Sequence, residues 1–322
     1  MTTRKQRIAL IGPGAVGLYY GGLLAADEQQ LHILARSDAL ALKTEGIRIH
    51  RVEAKTGDLL KKHVIRPASV TTDAKEIGPV DFVLVAAKST VNEKLIDALQ
   101  SLVQPGRTAI LTLQNGMGNA EFYARHFPEN PILAGLCFVC VNRVASGVVE
   151  NYHPGRVEIG SLDDRWPELA ELVVSFFSEA GVSTNFSPVL DAALWRKLCW
   201  NVPFNGLSIA GGAITCDRIL ANPALRARAR RLMKELQMVA ASFGHKISDR
   251  FLEGQFEVTE KMGAYQPSSL IDYLENRPVE VEAIWGEPLR RGQAAGLQMP
   301  ILKELYHELR DAVKIAHIKL QI

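Results

Sequence analysis

Lys197, Asn201 and Asn205 stand four residues apart in WRKLCWNVPFN (195–205), among Trp195, Leu198, Trp200, Val202 and Phe204. On a helix that spacing stacks the three polar groups on one face over two turns. A lysine and two amides in an apolar neighbourhood cost free energy unless partners or water meet them. The stripe is therefore expected to face a wet cavity or a ligand. Its chemistry would be an amine that protonates or stabilises an oxyanion beside amides that hold a carboxylate or hydroxyl. The plainer reading has Lys197 reaching outward from a core helix and the asparagines satisfying backbone groups near Pro203, which would kink the helix or end its first segment.

A second constellation is GPGAVG, comprising Gly12, Pro13, Gly14, Ala15, Val16 and Gly17. It satisfies G-x-G-x-x-G with a strand pattern before it, a helix pattern after it and a second strand ending near residue 35. Gly12 permits the tight turn, Gly14 lets a pyrophosphate approach the backbone, and Gly17 lets the helix pack closely on the sheet. At the end of the second strand, where an NAD site places an acidic residue, the chain reads Ala35-Arg36-Ser37. Arg36 can pair with a 2′-phosphate, so the expected cofactor is NADP (NADPH). Lys88 in VAAKST and Asn115 in LQNGMG occupy two further strand ends, where open α/β sheets bind ligands. Taken singly, each also reads as a solvated lysine or an ordinary Asn-Gly turn.

The elements that must carry these residues alternate in the first half. Strands are expected at 7–11, 31–35, 80–87 and 108–113, with helices at 15–26, 90–103 and from Met117. That order gives a mostly parallel sheet covered by helices. IRIHRVE and HVIRP flank KTGD and read as an extra edge hairpin. Residues 132–160 look extended, with SGV and HPG as turn signals, before a helix at 167–180 and a last strand at 182–186. After Pro188 the pattern becomes helical, at 189–210, 217–243, 268–276, 279–296 and 300–317, with Asp217 and Ser268 as expected N-caps. The boundaries are 1–187 for an NADP-binding domain and 188–322 for a helical substrate domain.

At 322 residues and 47% hydrophobic, the chain can bury two cores. A near-even balance of 37 Lys+Arg against 35 Asp+Glu gives no footprint for nucleic acid and favours a small-molecule partner. The Arg-rich turn LRARARRLMKE (225–235) reads as a solvated helix face. Four cysteines at 137, 140, 199 and 216 make no disulfide framework and suit a reducing, cytoplasmic setting. In CFVC the two thiols point to opposite faces of an extended run, so buried thiols are favoured over a redox or zinc pair, and no metal is expected. Basic residues before an uncharged run from Ile8 to Ala26 superficially resemble a targeting signal or membrane span. Gly12-Pro13-Gly14 breaks that run after four apolar residues, which favours strand, turn and helix. His153 reads as a turn histidine. Helical second domains often pair, so a homodimer is compatible with this sequence.

Taken in order, GPGAVG, the AR after strand two, VAAKS, LQNGMGN, ALWRKLCWNVPFN and SSLIDYLENRPVEVEAIWG resemble the ketopantoate reductase (2-dehydropantoate 2-reductase) family over nearly the whole chain. The resemblance implies a Rossmann-type α/β domain followed by an all-α domain like the C-terminal domain of 6-phosphogluconate dehydrogenase. It further implies NADPH and a 2-keto acid meeting in the interdomain cleft. Lys197 matches the family's general acid, and Asn201 and Asn205 its substrate amides. Asn115 matches the asparagine beside the nicotinamide, Ser268 the substrate serine, and Glu280 the glutamate that completes the site; Arg36 and Lys88 match its cofactor-side positives. Ser268 is preferred to Ser269 because its distance to Glu280 fits the family spacing without a gap. Thr215 and Tyr265 stand where further substrate asparagines would be expected, so reaction type is better supported than substrate.

The implied reaction is reduction of ketopantoate to pantoate in pantothenate and coenzyme A synthesis. Alternatives are another 2-keto acid, a β-hydroxyacid or glycerol-phosphate type dehydrogenase, and an NADPH-sensing regulator without chemistry. For Glu280 the plain reading is one of an acidic set, with Glu282 and Glu287, near a helix start.

Overall fold

The computed structural model describes residues 5–27, 29–163 and 165–319, and the chain falls into two units. The first comprises residues up to Gln114 together with Asn119–Leu190; the second comprises Asn115–Gly118 and the chain from Asp191. Each has its own apolar core.

In the first unit, β1 (Arg7–Ile11), α1 (Ala15–Ala26), β2 (Gln30–Leu34), α2 (Ala39–Glu45), β3 (Ile47–Val52), β4 (Leu59–Ile65), β5 (Ser69–Thr71) and β6 (Phe82–Val85) are followed by α3 (Asn92–Leu102) and β7 (Ala109–Thr112). Then come α4 (Asn119–His126), β8 (Ile132–Ala145), β9 (Val148–Ser161), α5 (Pro167–Glu179) and β10 (Thr184–Phe186). The run that resembles a targeting signal is thus β1 and α1, and Ile8, Leu10, Leu18, Tyr20 and Leu24 of that run are buried in the core.

The sheet runs β4-β3-β9-β8-β7-β6-β1-β2-β5, with β10 on β9. From β8 to β5 all pairings are parallel, and the strands have the 3-2-1-4-5-6 order of a Rossmann fold. In this order the chain leaves β1 towards β2 on one side and later crosses to β6 on the other, so the ends of β1, β2 and β6 flank a switch point. The antiparallel β3–β4 hairpin forms at the expected edge, but β3 also pairs in parallel with the start of β9.

Several expectations are corrected. HPG does not turn the chain; it makes a bulge inside β9, where the partners pass from Phe138–Arg156 to Cys140–His153. Gly155 has φ +62, and a Cβ there would overlap the Phe138 carbonyl. The helix expected from Met117 begins at Asn119. Helix α2 and strand β5 were not foreseen.

The second unit holds α6 (Leu190–Ala210), α7 (Cys216–Ala221), α8 (Pro223–Ser242), α9 (Asp249–Met262), α10 (Ser268–Leu274), α11 (Glu287–Ala294) and α12 (Pro300–Lys319); Leu190 itself groups with the first unit. Pro203 neither breaks α6 nor ends it, although proline removes one backbone donor there. The expected helix at 217–243 is two, because Asn222 ends α7 and caps α8, accepting from the Ala224 and Leu225 N–H groups. Helix α9, capped by the Ser248 side chain, was not foreseen. Asp217 and Ser268 lie inside their helices; the cap positions are Thr215 and Pro267. The arginines of α8 tie it to its neighbours: Arg226 and Arg230 pair with Glu260 and Glu253 of α9, and Arg228 with Glu304 and Glu308 of α12. Buried Glu235 accepts the Ile301 and Leu302 N–H groups at 2.9 and 2.7 Å and so caps the start of α12. Among the described residues, no helix is long and apolar enough to cross a membrane.

Candidate active site

In the first unit, registers Ile11–Leu34 and Ile11–Val85 bring the ends of β1, β2 and β6 level. The glycine loop, Arg36 and Lys88 therefore leave the sheet at one edge. The three glycines differ in what surrounds them. Gly12 has φ +86, and a Cβ there would lie 2.2 Å from the Ala87 nitrogen. At Gly17 a Cβ would lie 2.4 Å from the Gly12 oxygen and 3.0 Å from Ala86 Cβ. At Gly14 nothing lies within 4 Å, and φ is an ordinary −83°. Glycine at Gly14 is thus required neither by the backbone nor by packing, whereas close approach of a ligand would require it. The first turn of α1 carries no acidic residue and no side-chain cap, so its free N–H groups and positive dipole end suit a phosphate.

Arg36 and Ser37 are exposed at the end of β2. One residue further lies Asp38, a carboxylate the sequence reading passed over. It is 4% exposed, bonded by Arg143 and by the Ser146 hydroxyl at 3.1 Å. That carboxylate is committed within the protein, which leaves the β2 end with the positive character of Arg36.

A buried polar network also escaped the sequence. Gln114 Nε2 donates to the Ala87 carbonyl at 2.8 Å and to Asn92 Oδ1 at 2.7 Å. Asn92 Nδ2 donates to Asn119 Oδ1 at 3.0 Å, and the Tyr123 hydroxyl donates to Asn92 Oδ1 at 3.0 Å. Burial pushes the Tyr123 phenol above its ordinary value, against the Gln114 hydrogen bond, which lowers it. The network ties the end of β6, next to Lys88, to the end of β7, next to Asn115. Its only trace in the sequence is a run of amides beside strand ends and helix starts.

In the second unit, Lys197 Nζ donates to Asn115 Oδ1 at 3.0 Å, joining residues 82 apart in sequence. Asn201 lies one turn beyond Lys197 and is 9% exposed. Asn205 is 1% exposed; its Oδ1 accepts the Ser269 N–H at 3.0 Å and lies 3.5 Å from the Ser268 hydroxyl. Asn205 thus satisfies the start of α10 through its carbonyl oxygen, not its NH₂ group, and its partner is not a backbone group near Pro203 as the plainer reading of the stripe had it. Ser268 is exposed and Ser269 buried. Glu280 is 5% exposed and accepts the Ile284 N–H through its carbonyl at 3.1 Å. Thr215 donates to the Asp217 carboxylate, and this bond is the main reason the carboxylate is held below its ordinary value. The Tyr265 ring lies 6.1 Å from that of Trp200.

Two cysteines adjoin these groups: Cys199 lies on α6, and the Cys216 N–H donates to the Tyr265 carbonyl at 3.0 Å. None of the four forms a disulfide; Cys137 and Cys140 are half-buried rather than buried as expected, and burial pushes the Cys199 and Cys216 thiols up to about 12. His153 accepts the Gly155 N–H at 3.0 Å within the β9 bulge.

The architecture is that of a Rossmann domain followed by a helical domain, and comparison with known proteins agrees. Residues 8–164 match the model "Ketopantoate reductase PanE/ApbA", and residues 189–313 match "Ketopantoate reductase PanE/ApbA C terminal". The chain belongs to the ketopantoate reductase family of oxidoreductases. It is 34% identical to a 2-dehydropantoate 2-reductase of Nostoc sp. over 311 residues, 95% of each chain. A solved 2-dehydropantoate 2-reductase from Geobacter metallireducens is 35% identical with a TM-score of 0.88, the match covering 95% of this chain and 99% of that one. A D-mandelate dehydrogenase solved with NADH and anilino(oxo)acetate shares the fold at a TM-score of 0.87 and 22% identity, over 97% of this chain and 99% of that one.

Proposed function

We propose that this protein reduces a 2-keto acid with NADPH, with 2-dehydropantoate as the substrate and pantoate as the product. The observation that carries the reading is the Lys197–Asn115 hydrogen bond, in which a strand-end asparagine from the NGMG loop meets the amine of the helical stripe. Gly14, the first turn of α1 and Arg36 would hold the cofactor's pyrophosphate and 2′-phosphate, with Lys88 as a further positive group near the loop. When bound, the nicotinamide supplies a hydride to the keto carbon.

As the carbonyl oxygen becomes an alkoxide it must be neutralised, and the Lys197 ammonium donates the proton. Asn115 accepts a hydrogen bond from Nζ and so restricts where the remaining N–H groups point. Asn201, the NH₂ group of Asn205 and the Ser268 hydroxyl hold the substrate's carboxylate and hydroxyl. Glu280 completes the polar lining of the site.

The likeness to D-mandelate dehydrogenase supports a second reading, in which the substrate is a bulkier, aryl 2-keto acid. Tyr265 packed beside Trp200 favours it, since an aromatic pair stands where the family resemblance expects an amide.

Steady-state oxidation of NADPH by the purified protein with ketopantoate, beside aryl and branched 2-keto acids and beside NADH, tests both readings. Fast NADPH-selective turnover of ketopantoate is expected; selective turnover of an aryl keto acid would transfer the assignment to the second reading. Lys197→Ala is expected to lower kcat by about a hundred- to ten-thousand-fold with NADPH binding retained. Near-normal turnover by that variant would refute the mechanism.

A further inference from the structure

Residues 282–286 form a π-helical turn directly before α11. Such a turn carries one residue more than the α-helical repeat and therefore re-aims its backbone and side chains. Here the re-aimed groups reach two separate targets. The Ala283 carbonyl accepts the Met117 N–H at 2.9 Å, which seats the Asn115–Gly118 loop. The contact is close enough to demand glycine: Gly116 has φ +87, and a Cβ there would lie 2.4 Å from the Ala283 oxygen. The Trp285 indole Nε1–H donates to the Val202 carbonyl at 2.9 Å, on α6 between Asn201 and Pro203. Gly206 leaves room for that indole and for Leu305, since its Cβ would lie 2.7 Å from Leu305 Cδ2 and 2.8 Å from Trp285 Nε1. A second tie runs in parallel: Glu287 lies against Gly118 and accepts from Arg291 at 3.0 Å, and Arg291 donates to Asp191 of α6 at 3.0 Å.

We infer that the π-turn is the positioning element for the proton donor, with Trp285 as its positioning residue. It grips the loop that carries Asn115 and the helix that carries Lys197, and so sets the 3.0 Å meeting of Nζ with Oδ1. An ordinary α-helical turn would lack the inserted residue and could not present the Ala283 carbonyl and the Trp285 indole to both targets at once. The inference rests on the reading of Lys197 as the donor.

Trp285→Phe keeps a large ring and deletes the N–H. It is expected to lower kcat by about ten- to a hundred-fold, as displaced catalytic groups do, with the Kd for NADPH unchanged. The decisive comparison is the same change made in an Asn115→Ala background. If Trp285 acts through the Asn115–Lys197 contact, its loss there changes kcat by less than about twofold. Full multiplication of the two effects, or an unchanged kcat in the single variant, overturns the inference.

Gly206→Ala provides an independent perturbation should Trp285→Phe fail to fold. It pushes both the indole and Leu305 from the α6 side while favouring the helix, and a fall in kcat in the same direction is expected. The 13Cε resonance of Lys197 reads the geometry without turnover: a shift in either variant is expected, and an unmoved signal refutes the inference. Lys197→Ala separates the two levels, because normal turnover by that variant refutes the donor role, whereas the resonance still tests the positioning.

Discussion

The glycine loop offers a sharp separation of ligand binding from stability. Gly14→Val places a side chain where nothing lies within 4 Å, at a backbone conformation open to any residue. Loss of the Gly14 N-cap should cost at most about 1 kcal/mol. In a unit of this size that shifts Tm by about 2–4 °C. The same side chain would occupy the approach to the α1 N–H groups. Losing one charge-assisted hydrogen bond to a phosphate costs about 1.5–3 kcal/mol, so NADPH affinity should fall roughly ten- to a hundred-fold or more. Gly17→Ala is expected to behave in the opposite way. Its Cβ would lie 2.4 Å from the Gly12 oxygen and 3.1 Å from Leu10 Cδ1. Because the Gly12 oxygen is a backbone atom that cannot rotate aside, the cost lies at or above the upper end of the range of about 1–3 kcal/mol for ordinary overpacking. The roughly 1 kcal/mol of helix propensity gained leaves a net loss larger than that of Gly14→Val. Thermal melting and fluorescence titration with NADPH on both variants provide the assay. Wild-type NADPH affinity in Gly14→Val would refute the assignment of the loop as a phosphate site. A melting loss in Gly14→Val as large as that in Gly17→Ala would refute the division of roles.

Arg36→Asp should exchange NADPH for NADH preference in the ratio of kcat/KM values, because Asp38 is already committed to Arg143 and Ser146 and leaves Arg36 to meet the 2′-phosphate; an unchanged ratio would remove Arg36 from the cofactor site. Acid stability should depend on Glu287. Burial raises its carboxyl, but hydrogen bonds and charge from Arg291 and Arg290 outweigh burial and hold it below the ordinary carboxylate value. A depressed folded value contributes stability above the unfolded pKa of about 4.3, and that stability is lost as pH falls through the folded value. Glu287→Gln should therefore melt lower than the parent at pH 7, with the gap closing once pH has fallen below the depressed folded value, and a gap that persists through acid denaturation would refute the linkage.

Local physics written into short stretches is what the sequence by itself determined. The glycine loop, the alternating strands and helices of the first unit and the polar stripe of α6 each declare themselves within a few turns of chain, through backbone freedom, period and side-chain type. The family resemblance joined those stretches in order. Helix α9 escaped because its buried face is sparse, with Leu252, Phe256 and Thr259 as its buried residues, so its apolar period is weak even though Ser248 stands ready as a cap. Pro203 misled because proline rules describe a helix in isolation, whereas α6 is held on several sides by its unit's core.

Tertiary structure alone decided which distant groups bond to one another; the family resemblance placed Lys197 and Asn115 in one site without pairing them. Asp38 finds Arg143 across 105 residues, β3 adds to β9, and Lys197 finds Asn115 across 82. It also decided that the helical run after Glu280 takes a π-turn. Each of these is a pairing energy between groups far apart in the chain, and no local propensity encodes it until folding has brought the partners within a hydrogen bond of one another.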